Sequence, residues 1–150
     1  MAITYASFII GLRMYLEETT GVTAVWRYPG YVPPKERPFI AVEFVNSVPQ
    51  NPTKLNELIT EDIFLNIANY SNNVVESAEV QAGIDEILRY HTIPLRDSSG
   101  EEVGKFNVDR VIAVNNISTG TAVEDELSSH RIYTDLVVRL DHIKKRIKND

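Results

Sequence analysis

The chain has no cysteine, a single tryptophan, two methionines and no apolar run approaching the roughly 20 residues that cross a bilayer. Without cysteine there is no disulfide, no thiol nucleophile, no Cys-ligated zinc and no iron–sulfur cluster. Positive charge is in deficit too. Fifteen Lys and Arg face twenty-one Asp and Glu, a net charge of −6, which argues against a broad nucleic-acid or anionic-lipid surface. The opening Met1-Ala2-Ile3-Thr4-Tyr5 has neither the basic nor the apolar region of a signal peptide, so a cytosol-like compartment is expected. Neither a P-loop nor a dinucleotide-binding glycine pattern occurs. What remains is a 150-residue chain, 43% hydrophobic and 24% charged. That balance is ordinary for a folded domain with its own core, and one domain spanning residues 1–150 is expected.

Periodicity orders the elements. Tyr5, Phe8, Ile9, Leu12, Tyr15 and Leu16 recur at spacings of three and four, which predicts an N-terminal helix with Thr4 as N-cap and Gly21 at its C-terminal turn. A short β-type run, residues 24–28, ends at Pro29-Gly30. Residues 29–38 hold four of the seven prolines, too many for a helix or central strand, so an exposed stiff loop is expected. From Phe39 to Val48, Ile40, Val42 and Phe44 alternate with Ala41, Glu43 and Val45, a half-buried strand. A second loop, residues 49–57, precedes a strand over Leu58–Tyr70, with Ile63, Leu65 and Ile67 on one face. Ser71-Asn72-Asn73 punctuates. A second helix runs from Val74 to Tyr90 on the stripe Val80, Ile84, Ile87 and Leu88.

The last third reads as strand: Thr92–Arg96, a turn over residues 97–104, one strand over Lys105–Asn116 with a bulge near Asp109-Arg110, and a turn from Ser118. A long final strand follows over Leu127–Asp141, suggesting a hairpin arm or a sheet extending past its core. The order helix, strands, helix, strands predicts an α+β fold. Two helices pack on one face of a mostly antiparallel sheet, with long loops and an extended C-terminal strand. Residues 142–150 form a basic tail around Lys144-Lys145-Arg146-Ile147-Lys148, a solvated end or an electrostatic contact to an acidic partner or passing DNA.

Catalytic signatures are scarce. His91, His130 and His142 fall on different elements, and none has a helical metal-site partner four residues away, so structural or solvated histidines are expected. No nucleophile elbow surrounds Ser7, Ser47, Ser71 or Ser77. The pairs Glu17-Glu18, Glu61-Asp62 and Glu101-Glu102 and the triplet Glu124-Asp125-Glu126 read as solvated faces, because paired acid/base work needs differently desolvated carboxylates. No catalytic residue, metal or cofactor is expected. Trp26, Tyr28 and Tyr31 instead form an aromatic group beside the proline loop, either covering the core or offering a contact surface, since Trp, Tyr and Arg are favoured at interface centres.

The order of Trp26-Arg27-Tyr28-Pro29-Gly30, Pro38-Phe39-Ile40-Ala41-Val42-Glu43, the strand Ile63–Tyr70 running into the helix Val75–Tyr90, and the final strand His130–Arg139 resembles the tail terminator (tail completion, tail-to-head joining) proteins of long-tailed bacteriophages. The resemblance covers most of the chain as an order of elements with short motifs. It implies a virion tail or neck protein assembled in the host cytoplasm. Its subunits form a homohexameric ring that caps the tail tube protein, ends its polymerisation and offers a docking surface to the head–tail connector protein. In a contractile tail the ring also meets the sheath. DNA passes through without specific binding, and no membrane is involved. The basic C-terminus is longer and more charged than that family leads one to expect. Ring subunits make heterologous contacts. The candidate surfaces are the loops 29–38 and 49–57, the turn 97–104 and the outward residues of the final strand, with Trp26, Tyr28, Tyr31, Lys35, Arg37, Arg131, Tyr133, Asp135 and Arg139 as interface candidates. Two other classes stay open: another connector, adaptor or baseplate component, and a small α+β ligand-binding domain or enzyme that uses His91 or His130.

Overall fold

A computed structural model describes residues 3–50, 58–117 and 130–143. The first helix, α1 (Tyr5–Thr20), buries Phe8, Ile9, Leu12 and Leu16 completely, the face its spacing dictates. Burial of each such side chain contributes roughly 1.5–3 kcal/mol. Thr4 holds the N-cap position with extended backbone. The cap runs in reverse, however: the Thr4 N–H donates to Ser7 Oγ at 3.2 Å. Gly21 ends the helix in the left-handed region at φ 74°, where its N–H donates to the Glu17 carbonyl.

Strands β1 (Thr23–Arg27), β2 (Phe39–Gln50) and β3 (Leu58–Tyr70), helix α2 (Val74–Tyr90), strands β4 (Ile93–Arg96), β5 (Glu102–Phe106), β6 (Arg110–Ile117) and β7 (Arg131–Ile143) follow. Five strands form one sheet in the order β1-β2-β3-β7-β6, while β4 and β5 make a separate hairpin. All pairs are antiparallel except β1–β2, in which Thr23 faces Phe39 and Arg27 faces Glu43. Parallel neighbours need a crossover to bring the chain back to the same end. Here the proline-rich residues 28–38 make it with no helix, which is what their stiff, extended backbone suits; the Arg37-Pro38 peptide is cis.

Both helices lie on one face of the sheet. Ile40, Val42, Ile63, Leu65, Ile67, Leu136 and Val138 point into the core they share with α1 and with Val80, Ile84, Ile87 and Leu88 of α2. The fold is α+β, a mostly antiparallel sheet with two helices. Asn73 caps α2, its side chain accepting from the Glu76 N–H at 2.8 Å. Beneath α2 runs a buried polar network. Asn69 Nδ2 donates to the Ser77 carbonyl (3.0 Å), Ser71 Oγ to Asn69 Oδ1 (2.7 Å), and Gln81 Nε2 to Thr134 Oγ1 (2.9 Å) and Asp85 Oδ1 (2.9 Å). These groups are satisfied in pairs, as burial demands.

Four expectations need correction. Pro49 and Gln50 belong to β2, whose pairing with β3 continues through Gln50↔Thr60; residues 51–57 of the expected loop lie outside the described residues. Residues 102–104 of the expected turn are strand, so the turn shrinks to the tight bend closed by Gly100 N–H to Asp97 O at 2.9 Å. The expected single strand over Lys105–Asn116 is two strands in different sheets. Phe106 ends β5 against Ile93, Arg110 opens β6 against Val137, and the bulge sits between Val111 and Ala113. The final strand begins at Arg131, with 127–129 outside the described residues, and pairs with β3 along its whole length. The turn from Ser118, the acidic triplet at 124–126 and the basic residues 144–148 also lie outside the described residues.

Candidate interaction surface

The sheet face opposite the helices has no helix over it among the described residues, and strand register decides what it displays. One row across the sheet reads Thr23, Phe39, Tyr70, Arg131; the next reads Val25, Ala41, Ala68, Tyr133; the third reads Arg27, Glu43, Asn66, Asp135. Phe39, Ala41 and Ala68 are buried beneath the larger side chains, with Val25, Tyr70 and Tyr133 packed against them. Phe39 stacks on Tyr70 at 4.5 Å between ring centroids, and Tyr70 meets Tyr133 edge-on at 6.4 Å.

Three arginines surround this aromatic group. The Arg37 guanidinium lies over the Tyr70 ring at 5.5 Å and donates to the Ser71 carbonyl at 3.1 Å. Arg131 lies over Tyr133 at 5.8 Å, and its Nη1 donates to the Tyr133 hydroxyl at 3.1 Å. Arg27 lies over Tyr31 at 5.9 Å, reaches the Tyr70 hydroxyl at 3.5 Å and pairs with Glu43 at 3.6 Å. Burial, helped by the neighbouring Tyr133 hydroxyl, pushes the Tyr70 phenol up to about 12 despite Arg27 nearby. It therefore stays a neutral hydrogen-bonding group at any physiological pH. Burial also lowers the Arg37 pKa, and the like charge of Arg131 adds to the effect.

Around the β1 edge, reaching both faces of the sheet, Trp26, Tyr28, Tyr31, Tyr5 and Phe44 line an open groove of about 620 Å³ that also takes in Arg27 and Glu43. Trp26 packs against the main core and meets Tyr28 edge-on at 6.0 Å. Tyr5 stacks on Phe44 at 4.2 Å. Thus Trp26 both covers the core and walls the groove.

The structure brings Tyr31, Arg37, Arg131 and Tyr133 to one surface, with Trp26 and Tyr28 round its edge. Lys35 is exposed on the same crossover. Asp135 lies one row away and accepts from Asn66 Nδ2 at 2.8 Å. Arg139 stands apart, towards the far end of β7, where its Nε approaches the buried Asp62 carboxylate at 3.4 Å. Arg27, Phe39 and Tyr70 were not among the interface candidates read from the sequence. The signal for Phe39 and Tyr70 was their phase: each falls on the outward side of its strand, where a large aromatic needs a reason. His91 accepts or donates at 2.6 Å to the Tyr15 hydroxyl, and the His130 carbonyl receives the Ser71 N–H; both are tied into the fold.

Among the described residues no three His, Cys, Asp or Glu side chains cluster as a metal site, and no helix is long and apolar enough to cross a membrane. Neither a protein-family model nor a curated protein sequence matches the chain.

Proposed function

We propose that this protein is a structural subunit of a long-tailed phage: a ring-forming tail terminator that caps the tail tube, ends its polymerisation and carries the docking surface for the head connector. The observation that carries the reading is the two-faced sheet. One face is closed by both helices. The other carries three arginines stacked on tyrosines, the composition of interface centres. The order of elements that resembles the family supports it further. Work of this kind needs surface complementarity and no bond chemistry, and the arginine–tyrosine group is suited to it.

Negative-stain imaging with native mass spectrometry at high concentration tests the reading. Six-membered rings with an open centre, able to bind tail tubes and halt their growth, are expected. Twelve-membered rings would instead identify a connector adaptor. A chain that stays monomeric and also fails to bind tail tubes overturns the proposal.

A further inference from the structure

A second surface, on the helix side, complements the arginine face in charge. The end of α1 and the outer side of α2 enclose an open groove of about 340 Å³, lined by Thr20, Val80, Gly83, Ile87 and two carboxylates, Glu79 and Glu86. Glu79 and Glu86 are exposed two helical turns apart on one side of α2.

Gly83 between them is otherwise hard to explain. A glycine inside a helix is less favourable than alanine. A Cβ at Gly83 would meet only Thr20 Cγ2, at an ordinary 3.5 Å. Internal packing therefore does not require the glycine, and its missing side chain leaves the groove open between the two carboxylates. On the other face the Arg37 and Arg131 guanidiniums are close enough to feel each other's charge, so that surface concentrates positive charge.

We propose that the occupant of the Glu79–Glu86 groove is the Arg37–Arg131 face of a second copy of this chain. The two surfaces lie on opposite sides of the sheet, so the contact is heterologous: each copy uses its arginine face towards one neighbour and its groove towards the other. Such a contact propagates, and closes into a ring when the rotation allows. The inference rests on the ring reading for its closure but not for the pairing itself. Charge fixes the register, arginine against carboxylate, with the stacked tyrosines supplying apolar area around the ion pairs.

Sedimentation velocity on charge-swapped variants tests it. Arg37→Glu with Arg131→Glu, or Glu79→Arg with Glu86→Arg, should each weaken self-association at least about 100-fold, since like charges then face one another. Combining all four exchanges in one chain should restore it. Gly83→Leu fills the groove and should weaken association by a similar factor while the melting temperature holds or rises; this separates a blocked surface from a damaged fold. Wild-type rings that survive either double exchange overturn the pairing and leave the ring reading standing. A wild-type chain that associates through these residues into an open or non-sixfold assembly overturns the ring reading and leaves the pairing. A wild-type chain with no self-association, alone or on tail tubes, overturns both.

Discussion

At Gly11 a single hydrogen atom decides the packing of two elements. The residue sits in the middle of α1, where β4 crosses. A Cβ there would fall well inside van der Waals contact distance of the Pro94 carbonyl oxygen, and would lie 3.1 Å from the Pro94 carbonyl carbon and 3.3 Å from Leu95 Cα. All three atoms are backbone and cannot turn aside. The helix therefore carries a glycine at some cost in propensity so that β4 can bring Ile93 and Leu95 into the core. Gly11→Ala should lower stability by about 1–3 kcal/mol, the range for overpacking, and towards its upper end because the opposing atoms are backbone. Urea denaturation checks this, and a loss below 0.5 kcal/mol would mean the hairpin shifts freely. Gly83→Ala, in α2, should have the opposite sign. The two glycines look alike in sequence; only the opposing surface distinguishes them.

At the scale of elements, the β4–β5 hairpin depends on its turn. Asp97 Oδ1 accepts from Ser99 Oγ (2.6 Å), Ser99 N–H (2.9 Å) and Glu101 N–H (3.0 Å). These bonds, the Ser99 hydroxyl foremost, hold its carboxyl below the ordinary range. A carboxyl depressed in the folded state contributes stability above its unfolded pKa of 3.8, and that contribution is lost as pH falls through the folded value. Asp97→Asn should therefore melt below wild type at pH 7, with the gap closing as pH falls below 3.8 and through the depressed folded value. A gap constant with pH would show that geometry alone, and not the carboxylate charge, closes the turn. Elements of this kind were legible in the sequence. The helices followed from spacings such as Phe8, Ile9 and Leu12, and β3 ran over Leu58–Tyr70 as its alternation required. Partnership between elements was not legible. Period two assigns Phe106 and Val111 to faces but says nothing about which sheet each joins. The parallel β1–β2 pair was hidden because a proline loop, where a helix is usual, makes the crossover. The arginine–tyrosine surface needs the register of three strands before Arg131, Tyr70 and Phe39 fall in one row. Its members at Arg37, Arg131 and Tyr133 could be named as candidates, but their convergence could not.

For the whole molecule, two kinds of surface compete to govern assembly, and salt separates them. One is the charged pairing of the arginine face with the Glu79–Glu86 groove. The other is the edge strand β6, which exposes Val111, Ile112 and Val114 at 37%, 50% and 49% and carries no charge from Val111 to Ile117. Such an edge favours strand-to-strand association. Each copy also bears a net charge of −6, so copies repel at long range. Near 0.01 M salt that repulsion acts over a Debye length of about 30 Å, and near 1 M over about 3 Å. If ion pairs at the contact govern assembly, association should strengthen from 0.01 to about 0.1 M salt as repulsion between whole molecules is screened. It should then weaken towards 1 M as the pairs themselves are screened. Assembly governed by the apolar edge has only the first response, and keeps strengthening at high salt. Sedimentation velocity across that range should therefore pass through a maximum. A monotonic rise would assign the contact to β6 and leave the arginine face free to meet a different protein.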